Sequence, residues 1–272
     1  MNVVPFRRDF IISCFLILMF AHPSTAQQPD RSTVTNHAHY DTEQVVDNLI
    51  QMNLRRLQAL RAYESTRTYR VEYHGFGGAR SAEMAVKLKY SAPRSKEFTI
   101  ESTSGSKLLI DRVLKKLLEA EMEASDEEAQ RRSALNRDNY DFKLAGFEDT
   151  PSGAMYVLTV EPKTKEKFLY RGRIWVDAKD FAVTRLEAEP AKNPSFWTKK
   201  SEIEQRYSKV NDFWLPERNH SLSSIRFGGR ADLTIEYNDY QITSAAEVEQ
   251  LSQKQSLRSA GFKVTQDLGD NR

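Results

Sequence analysis

Two β-strands and the turn between them can be read from residues 68–90, TYRVEYHGFGGARSAEMAVKLKY. In 68–74 and 83–90 a large apolar residue stands at every second position, and apart from Ala85 the residues between are polar or charged. A period of two places alternate side chains on opposite faces of a strand. The glycine-rich segment 75–78 predicts the turn. One face of this hairpin is therefore predicted to be buried and the other exposed to solvent, which is typical of an antiparallel sheet covered on one side.

The same pattern continues along the chain and is interrupted once. From Thr66 to Ile242 the sequence predicts one antiparallel meander, but between Ser106 and Asn136 the apolar residues change to helical spacing. Short turn signals separate the later strands, and short loops favour hairpin neighbours over parallel crossovers. The predicted fold class is therefore α+β, with an antiparallel sheet and inserted helices.

An amphipathic helix is predicted ahead of the first strand. Asp41, followed by Gln44 three residues later, forms a capping-box pattern. Apolar residues follow at helical spacing, with arginines outside the stripe. The stripe comprises Val45, Val46, Leu49, Ile50, Leu54, Leu57 and Leu60. We expect a helix of about five turns whose apolar face covers a sheet or a cavity.

The N-terminal 26 residues have the features of a secretory signal. Positive residues precede an apolar run over 10–20, and small residues end at Ala26. An uncleaved anchor is the alternative, but the run is shorter than the roughly 20 residues that span a bilayer. We expect a signal peptide over 1–26 cleaved after Ala26, a flexible leader over 27–40, one domain over 41–243 and a polar tail over 244–272.

The composition argues against several classes of protein. The formal net charge of +2 over 272 residues gives no electrostatic case for a nucleic-acid partner. The single cysteine, Cys14, lies in the predicted signal, so the exported chain would have no thiol for a disulfide or a nucleophile. We therefore expect a periplasmic domain that is held together by its core.

The histidines predict neither a metal site nor a general base. His37 and His39 stand two apart in the predicted leader, and such a pair rarely binds a metal without further ligands. His74 and His220 lie on polar strand faces, and no activated serine or cysteine accompanies either. We predict that all four are ordinary polar residues.

Two further patterns resemble catalytic motifs only superficially. Glu187 and Glu189 share a strand face, whereas the paired carboxylates of glycosidases flank a cleft from different elements. Residues 104–107 lie between a strand and a helix, but they lack the G-x-x-x-x-G-K-[ST] spacing of a phosphate loop. The sequence therefore predicts no enzyme activity, no cofactor and no metal.

Apolar residues at two places leave two interpretations open. Phe196-Trp197 lies in a loop and Phe213-Trp214 follows a turn, so each pair is either a core anchor or part of the lip of a cavity. The leucine stripe from Leu108 to Leu118 is either permanent core or a cover that opens for a ligand.

Two segments, together with the order of the elements, carry a resemblance to a known family. They are FLYRGRIWVD at 168–177, followed by 181–187, and VNDFWLP at 210–216. Over roughly Asp41 to Ile242 the chain resembles the LolA/LolB/RseB-like superfamily, and in particular the exported outer-membrane lipoprotein-sorting proteins. The resemblance implies an unclosed antiparallel β-barrel, or half-barrel, whose concave face is covered by the N-terminal helix and the inserted helices. It also implies an arginine that holds the lid, for which Arg67 and Arg70 are both candidates.

The resulting hypothesis is a periplasmic protein that binds lipid or the acyl chains of a lipoprotein and carries this cargo toward the outer membrane without catalysis. The alternative is an envelope sensor or interaction module on the same fold, with an envelope membrane protein as its partner. A cargo chain of about 16 carbons needs on the order of 12 kcal/mol of apolar contact, which a shallow patch does not supply. The predicted cavity residues are Phe98, Ile100, Leu109, Val113, Leu117, Phe142, Leu144, Leu158, Ile174, Val183 and Trp197, with Leu109, Val113 and Leu117 on the cover.

Overall fold

A computed structural model describes residues 40–75, 77–93, 95–151, 153–193, 198–226 and 228–246. The strands are β1 (Leu60–Gly75), β2 (Gly78–Ser91), β3 (Ser95–Gly105), β4 (Tyr140–Thr150), β5 (Gly153–Pro162), β6 (Tyr170–Asp177), β7 (Val183–Pro190), β8 (Thr198–Val210), β9 (Phe213–Ile225) and β10 (Arg230–Ser244). The helices are α1 (Thr42–Ala59), α2 (Lys107–Leu109), a π-helical turn (Ile110–Leu114), α3 (Lys115–Glu123) and α4 (Glu127–Ser133). The predicted signal peptide with its cleavage after Ala26, the leader up to His39 and most of the polar tail lie outside the described residues.

All ten strands belong to one antiparallel sheet in the order β3-β2-β1-β10-β9-β8-β7-β6-β5-β4. Chain neighbours pair throughout, except at the step from β3 to β4, and β1 pairs with β10. The strands β3 and β4 are therefore the two edges, and the sheet does not close into a barrel. The predicted α+β class, an unclosed antiparallel barrel with helices, is confirmed. The pairing of the first strand with the last had no signal in the sequence.

The connection between the two edge strands is the longest in the described chain. Residues 106–139, which we call the crossing connection, leave β3 and enter β4, so they run from one edge of the sheet to the other. They contain α2, the π-helical turn and α3, which follow one another without a break over 107–123, and then α4. The predicted single helical interruption, from Ser106 to Asn136, is confirmed. None of the described helices is both long and apolar enough to cross a membrane.

Helix α1 begins as the sequence predicts. Asp41 Oδ1 accepts a hydrogen bond from the backbone N of Gln44 at 2.8 Å, and Gln44 Oε1 accepts one from the backbone N of Asp41 at 3.1 Å. This reciprocal pair satisfies N–H groups that the first helical turn leaves without an intrahelical partner. In the first half of the helix Val45, Val46 and Leu49 are fully buried.

The second half of α1 differs from the prediction. Leu54 and Leu57 are 55% and 56% exposed, so the apolar stripe does not cover the sheet along its whole length. Arg56 gives the physical reason, because its guanidinium donates hydrogen bonds to the carbonyl oxygens of Asp180 and Phe181 at 2.8 and 2.9 Å. These bonds direct the Arg56 side of the helix toward the β6–β7 turn and leave both leucines on the exposed side.

The apolar core consists of two separate clusters. The first joins α1 to β4–β7, and its buried members are Val45, Val46, Leu49, Tyr140, Tyr156, Leu158, Val160, Leu169, Ile174, Val176, Leu186, Ala188 and Ala191. The second joins the 107–123 helix to β1, β2 and β10, and its buried members are Tyr69, Val71, Ala82, Met84, Val86, Leu109, Ile110, Leu114, Leu118 and Ile235. Helices thus cover one face of the sheet at two places, and we call this the inner face.

Candidate functional site

The 107–123 helix packs on the inner face of β1, β2 and β10. Leu109, Leu114 and Leu118 are 7%, 0% and 6% exposed. The sheet presents Tyr69 and Val71 from β1 and further apolar residues from β2 and β10 to the helix. The contact is dry on the helix side that faces the sheet, whereas the opposite side carries the acidic and basic residues of the segment. This part of the crossing connection is therefore an amphipathic cover over an apolar surface.

The helix contains a π-helical turn in its first half. Residues 110–114 have this conformation, between α2 and α3. A π-turn inserts an extra residue into the helical hydrogen-bond ladder and is found most often at functional sites. Here it brings Ile110 and Leu114 to the sheet side together. Both residues belong to the cluster under the helix.

One ion pair between a buried arginine and a partly buried glutamate joins α3 to the sheet. Arg67 of β1 is 3% exposed, and its Nη1 donates to Glu121 Oε2 at 2.7 Å. Lys96 of β3 donates to the other oxygen of the same carboxylate at 2.9 Å. Aromatic rings surround the guanidinium, whose carbon lies 4.8 Å from the centroid of Tyr237 and 5.7 Å from that of Phe98. Glu121 is thus held by cations from two different strands.

The opposite charges of Arg67, Lys96 and Glu121 keep Arg67 and Glu121 ionised. Burial, the largest single influence, would lower the pKa of the Arg67 guanidinium, but the charge and hydrogen bond of Glu121, together with the neighbouring Tyr69 and Tyr237, raise that pKa overall. Burial alone would raise the pKa of the Glu121 carboxyl, but the charges and hydrogen bonds of Arg67 and Lys96 lower it overall. Both groups are therefore ionised at neutral pH, and the pair is intact when the helix lies on the sheet.

Two polar atoms on the inner face of β1 lack a hydrogen-bond partner among the described residues. They are Ser65 Oγ and Arg67 Nε, on residues that are 2% and 3% exposed. The two residues stand two apart on β1, and their partners on β2 are Leu88 and Val86, which are fully buried. Both side chains therefore lie on the inner face. A buried donor without an acceptor is costly, so this pair offers hydrogen bonds to an oxygen that enters the site.

The sequence contained a signal that separates the two candidate lid arginines. Arg67 shares the odd-numbered positions of Tyr69 and Val71, and these face the core, whereas Arg70 falls on the opposite face. In the structure Arg70 is 47% exposed and pairs with Glu83 and Glu236 on the outer face. Arg67 is therefore the arginine that contacts the cover. Its partner Glu121 lies 54 residues away and could not be identified from the sequence.

The predicted cavity residues do not surround a single space. Four of them belong to the cluster under the 107–123 helix and five to the cluster under α1, while Ile100 is 41% exposed on edge strand β3. The first group is Phe98, Leu109, Val113 and Leu117, and the second is Phe142, Leu144, Leu158, Ile174 and Val183. Trp197 lies outside the described residues, as does its neighbour Phe196. The assignment of these residues to a ligand site stays a prediction.

Part of the inner face between the two clusters is polar. On β8 and β9, Ser201 Oγ and Ser223 Oγ are 2.7 Å apart, and Asn219 donates to Gln205 at 2.8 Å. These side chains satisfy one another across adjacent strands. They interrupt the apolar inner face at β8 and β9.

A groove of about 730 Å³ lies on the outer face of β5–β9. Its polar lining residues alternate along the strands with buried members of the α1 cluster, which places them on the opposite side of the sheet. They include Glu161, Arg171, Arg173, Glu187, Glu189, Glu202, Glu204 and His220. This groove is therefore a polar surface and does not have the lining of a binding site for an apolar ligand.

The residues that resembled catalytic motifs are engaged in ordinary contacts. In the outer groove Glu187 pairs with Arg185 and Arg173, and Glu189 pairs with Lys200 at 2.9 Å. His220 lies 2.9 Å from Asp232. Residues 104–107 form the turn from β3 into α2, as expected. Within the described part of the chain there is no group of three or more His, Cys, Asp or Glu residues that could hold a metal ion.

One family model and several solved structures are similar to parts of this chain. One family model matches residues 132–240 and is described as a family of unknown function, DUF5686. No curated protein matches the chain. Similar solved structures include a DUF1329 family protein from Desulfovibrio piger ATCC 29098, with 14% identity, coverage of 75% of this chain and 94% of that chain, and a TM-score of 0.37.

Two other similar structures have still lower identity. The LolA superfamily protein NE2245 from Nitrosomonas europaea is 9% identical, with 75% of this chain and 94% of that chain covered and a TM-score of 0.34. The MucA/MucB complex of Pseudomonas aeruginosa contains a chain that is 9% identical, with 74% of this chain and 99% of that chain covered and a TM-score of 0.25. One of these neighbours carries the LolA superfamily name in its own description. At such identities and TM-scores they carry no information on what this chain binds.

Proposed function

We propose that the protein binds the acyl chains of a lipid or a lipoprotein between the 107–123 helix and the inner face of β1, β2 and β10. In this proposal it is exported to the periplasm and carries the acyl cargo toward the outer membrane without a catalytic step. The ligand is apolar because both surfaces that would enclose it are apolar. Its polar end meets the free donors of Ser65 and Arg67.

The observation that carries the proposal is the buried ion pair between Arg67 and Glu121. A buried ion pair adds little net stability compared with apolar residues of the same size, but it requires one defined geometry. A helix meant only to complete a core would be better served by another leucine at position 121. The pair instead favours one closed position of the cover, which a ligand can replace with another.

The apolar contacts of the helix are weak enough for an acyl chain to replace. Leu109, Ile110, Leu114 and Leu118 together bury apolar side chains worth roughly 6–12 kcal/mol, at about 1.5–3 kcal/mol for each. An acyl chain of about 16 carbons gains on the order of 12 kcal/mol when it is buried to the same degree. The free energies of burial of the helix side chains and of the acyl chain are therefore comparable. In this proposal the acyl chain displaces the helix from the sheet and does not fill an existing cavity.

The proposal is tested by native mass spectrometry of the exported protein, followed by lipid extraction. We expect acyl lipid to co-purify and the thermal midpoint to rise when an acylated peptide is added. Absence of lipid, together with no rise of the midpoint, would contradict the proposal and favour a sensor or interaction module on this fold.

A matched pair of variants tests whether the contact between the 107–123 helix and Arg67 controls lipid exchange. Glu121→Gln weakens the contact with Arg67, so the bound lipid should exchange faster with added lipid. Glu119→Gln is the control, because Glu119 lies on the same helix, is exposed and, among the described residues, pairs with the exposed Lys116 alone. Equal exchange rates for the two variants would show that the ion pair does not govern access to the site.

A further inference from the structure

The end of α1 and the start of β1 expose apolar and basic side chains together. Leu54 and Leu57 are more than half exposed, and Arg55 and Arg61 beside them are exposed as well. We call these four residues the basic patch. The leucines are one helical turn apart, so they lie on the same side of α1. An exposed pair of large apolar residues within the same turn is more than a scattered surface leucine.

The charges of the segment that carries the patch have one sign. Residues 48–63 contain three arginines and neither aspartate nor glutamate. Arg56 is bound to the carbonyl oxygens of Asp180 and Phe181, whereas neither Arg55 nor Arg61 forms an ion pair with the described residues. The first half of α1 is different, because Glu43 and Asp47 there pair with Arg137. Positive charge without a counter-charge is thus confined to the end that exposes the leucines.

We propose that the basic patch docks the protein on an anionic lipid surface. A helix lies in the membrane interface when leucines enter the boundary between headgroups and acyl chains while flanking basic residues meet anionic headgroups. The patch supplies both components over eight residues, at the end of α1 and the start of β1. With only two leucines the contact is weak and reversible, and it falls with added salt because the headgroup attraction is screened.

The same charges argue against a second copy of this chain as the occupant. In a symmetric contact the patch would meet itself, so Arg55 and Arg61 of one copy would face those of the other. Like charges that approach each other at an interface are unfavourable. An anionic surface meets these arginines with the opposite charge. The docking does not depend on whether acyl cargo binds beneath the 107–123 helix.

Vesicle flotation of the exported full-length protein tests the proposal. We expect binding to vesicles of one part phosphatidylglycerol to three parts phosphatidylethanolamine at low salt, and little binding to phosphatidylcholine alone. Leu54→Glu/Leu57→Glu should lower the partition coefficient at least tenfold. Arg55→Gln/Arg61→Gln should lower it by about fivefold for each arginine and flatten its dependence on salt.

The controls separate the patch from a general effect of charge. Thr99→Glu/Ser102→Glu adds the same two negative charges at exposed positions of β3 and should keep most of the binding. Loss of binding in this control to the same degree as in Leu54→Glu/Leu57→Glu would overturn the proposal, as would equal binding of the parent protein to both vesicle types. If Leu54→Glu/Leu57→Glu does not fold, the arginine variant decides alone. Sedimentation that shows a dimer abolished by Leu54→Glu would also overturn the proposal, in favour of self-association.

Discussion

Glu121 and its two cations form the polar centre of the cover at the scale of single residues. The carboxylate accepts hydrogen bonds from Arg67 and Lys96, and Arg67 is almost completely buried. Removing one partner of a buried pair costs much more than the pair contributes, because a charge remains in the core without compensation. The pair therefore ties the position of a helix to the ionisation of one side chain.

The lowered pKa of Glu121 predicts that acid weakens the cover. Because the pKa is lower in the folded protein than its ordinary value of 4.5, the ion pair stabilises fully above that value. The contribution is then lost as the pH falls through the lowered folded pKa. Glu121→Gln should cost about 3 kcal/mol of unfolding free energy at neutral pH, and this difference should shrink as the solution is acidified.

Urea unfolding of the parent protein and of Glu121→Gln between neutral pH and pH of about 3 measures this difference. Glu119→Gln serves as the reference for an exposed glutamate on the same helix. A gap between parent and Glu121→Gln that stays constant over the whole range would show that the carboxylate does not titrate with the cover.

The 107–123 helix, at the scale of secondary-structure elements, depends on how it leaves β3. Gly105 ends the strand with a φ of +87°, and the backbone N of Ser106 donates to the carbonyl of Ser81 at 2.8 Å. A Cβ at Gly105 would lie 2.4 Å from the same carbonyl oxygen. Only glycine adopts this conformation and this close approach without strain. The turn thus directs the chain from the edge strand onto the inner face.

Gly105→Ala should therefore loosen the helix. We expect a loss of about 2 kcal/mol or more, from the left-handed backbone and the collision together. Hydrogen exchange should quicken over 107–123 and remain unchanged in α1. Gly146→Ala is the matched control, because Gly146 also lies in an edge strand and a Cβ there would meet nothing within 4 Å. Equal exchange in the two variants would contradict this role for Gly105.

Local patterns in the sequence were sufficient to predict the elements. The capping box at Asp41 and the alternation in β1 and β2 depend on neighbouring residues alone, and both are confirmed. The alternation also separates Arg67 from Arg70. The end of α1 was mispredicted because its orientation depends on a contact of Arg56 with the carbonyl of Asp180, which lies 124 residues away. The division of the inner face depends on strand pairing and likewise has no local signal.

The molecule as a whole is one sheet with two cores. Leu114 and Leu158 are both fully buried, but they belong to different clusters, and polar side chains of β8 and β9 separate them. Regions that share few apolar contacts open with different free energies. The two ends of the sheet should therefore respond separately to a cavity in either core.

Leu114→Ala and Leu158→Ala test this independence. Each substitution should cost about 2–5 kcal/mol. In native-state hydrogen exchange, Leu114→Ala should first lower the protection of β1–β3, and Leu158→Ala that of β4–β6. A uniform loss of protection over all ten strands in both variants would indicate a single cooperative unit instead.

The crossing connection joins the two edge strands of the sheet, β3 and β4, and its helical part lies on the inner face. Its helical part of 17 residues is about 26 Å long at the α-helical rise, and both ends of the connection continue into edge strands. For acyl cargo bound as proposed, the distance to which the helix can move from the sheet is limited by the length of chain between β3 and β4. Lengthening or shortening that connection should therefore change the size of the acyl cargo that binds.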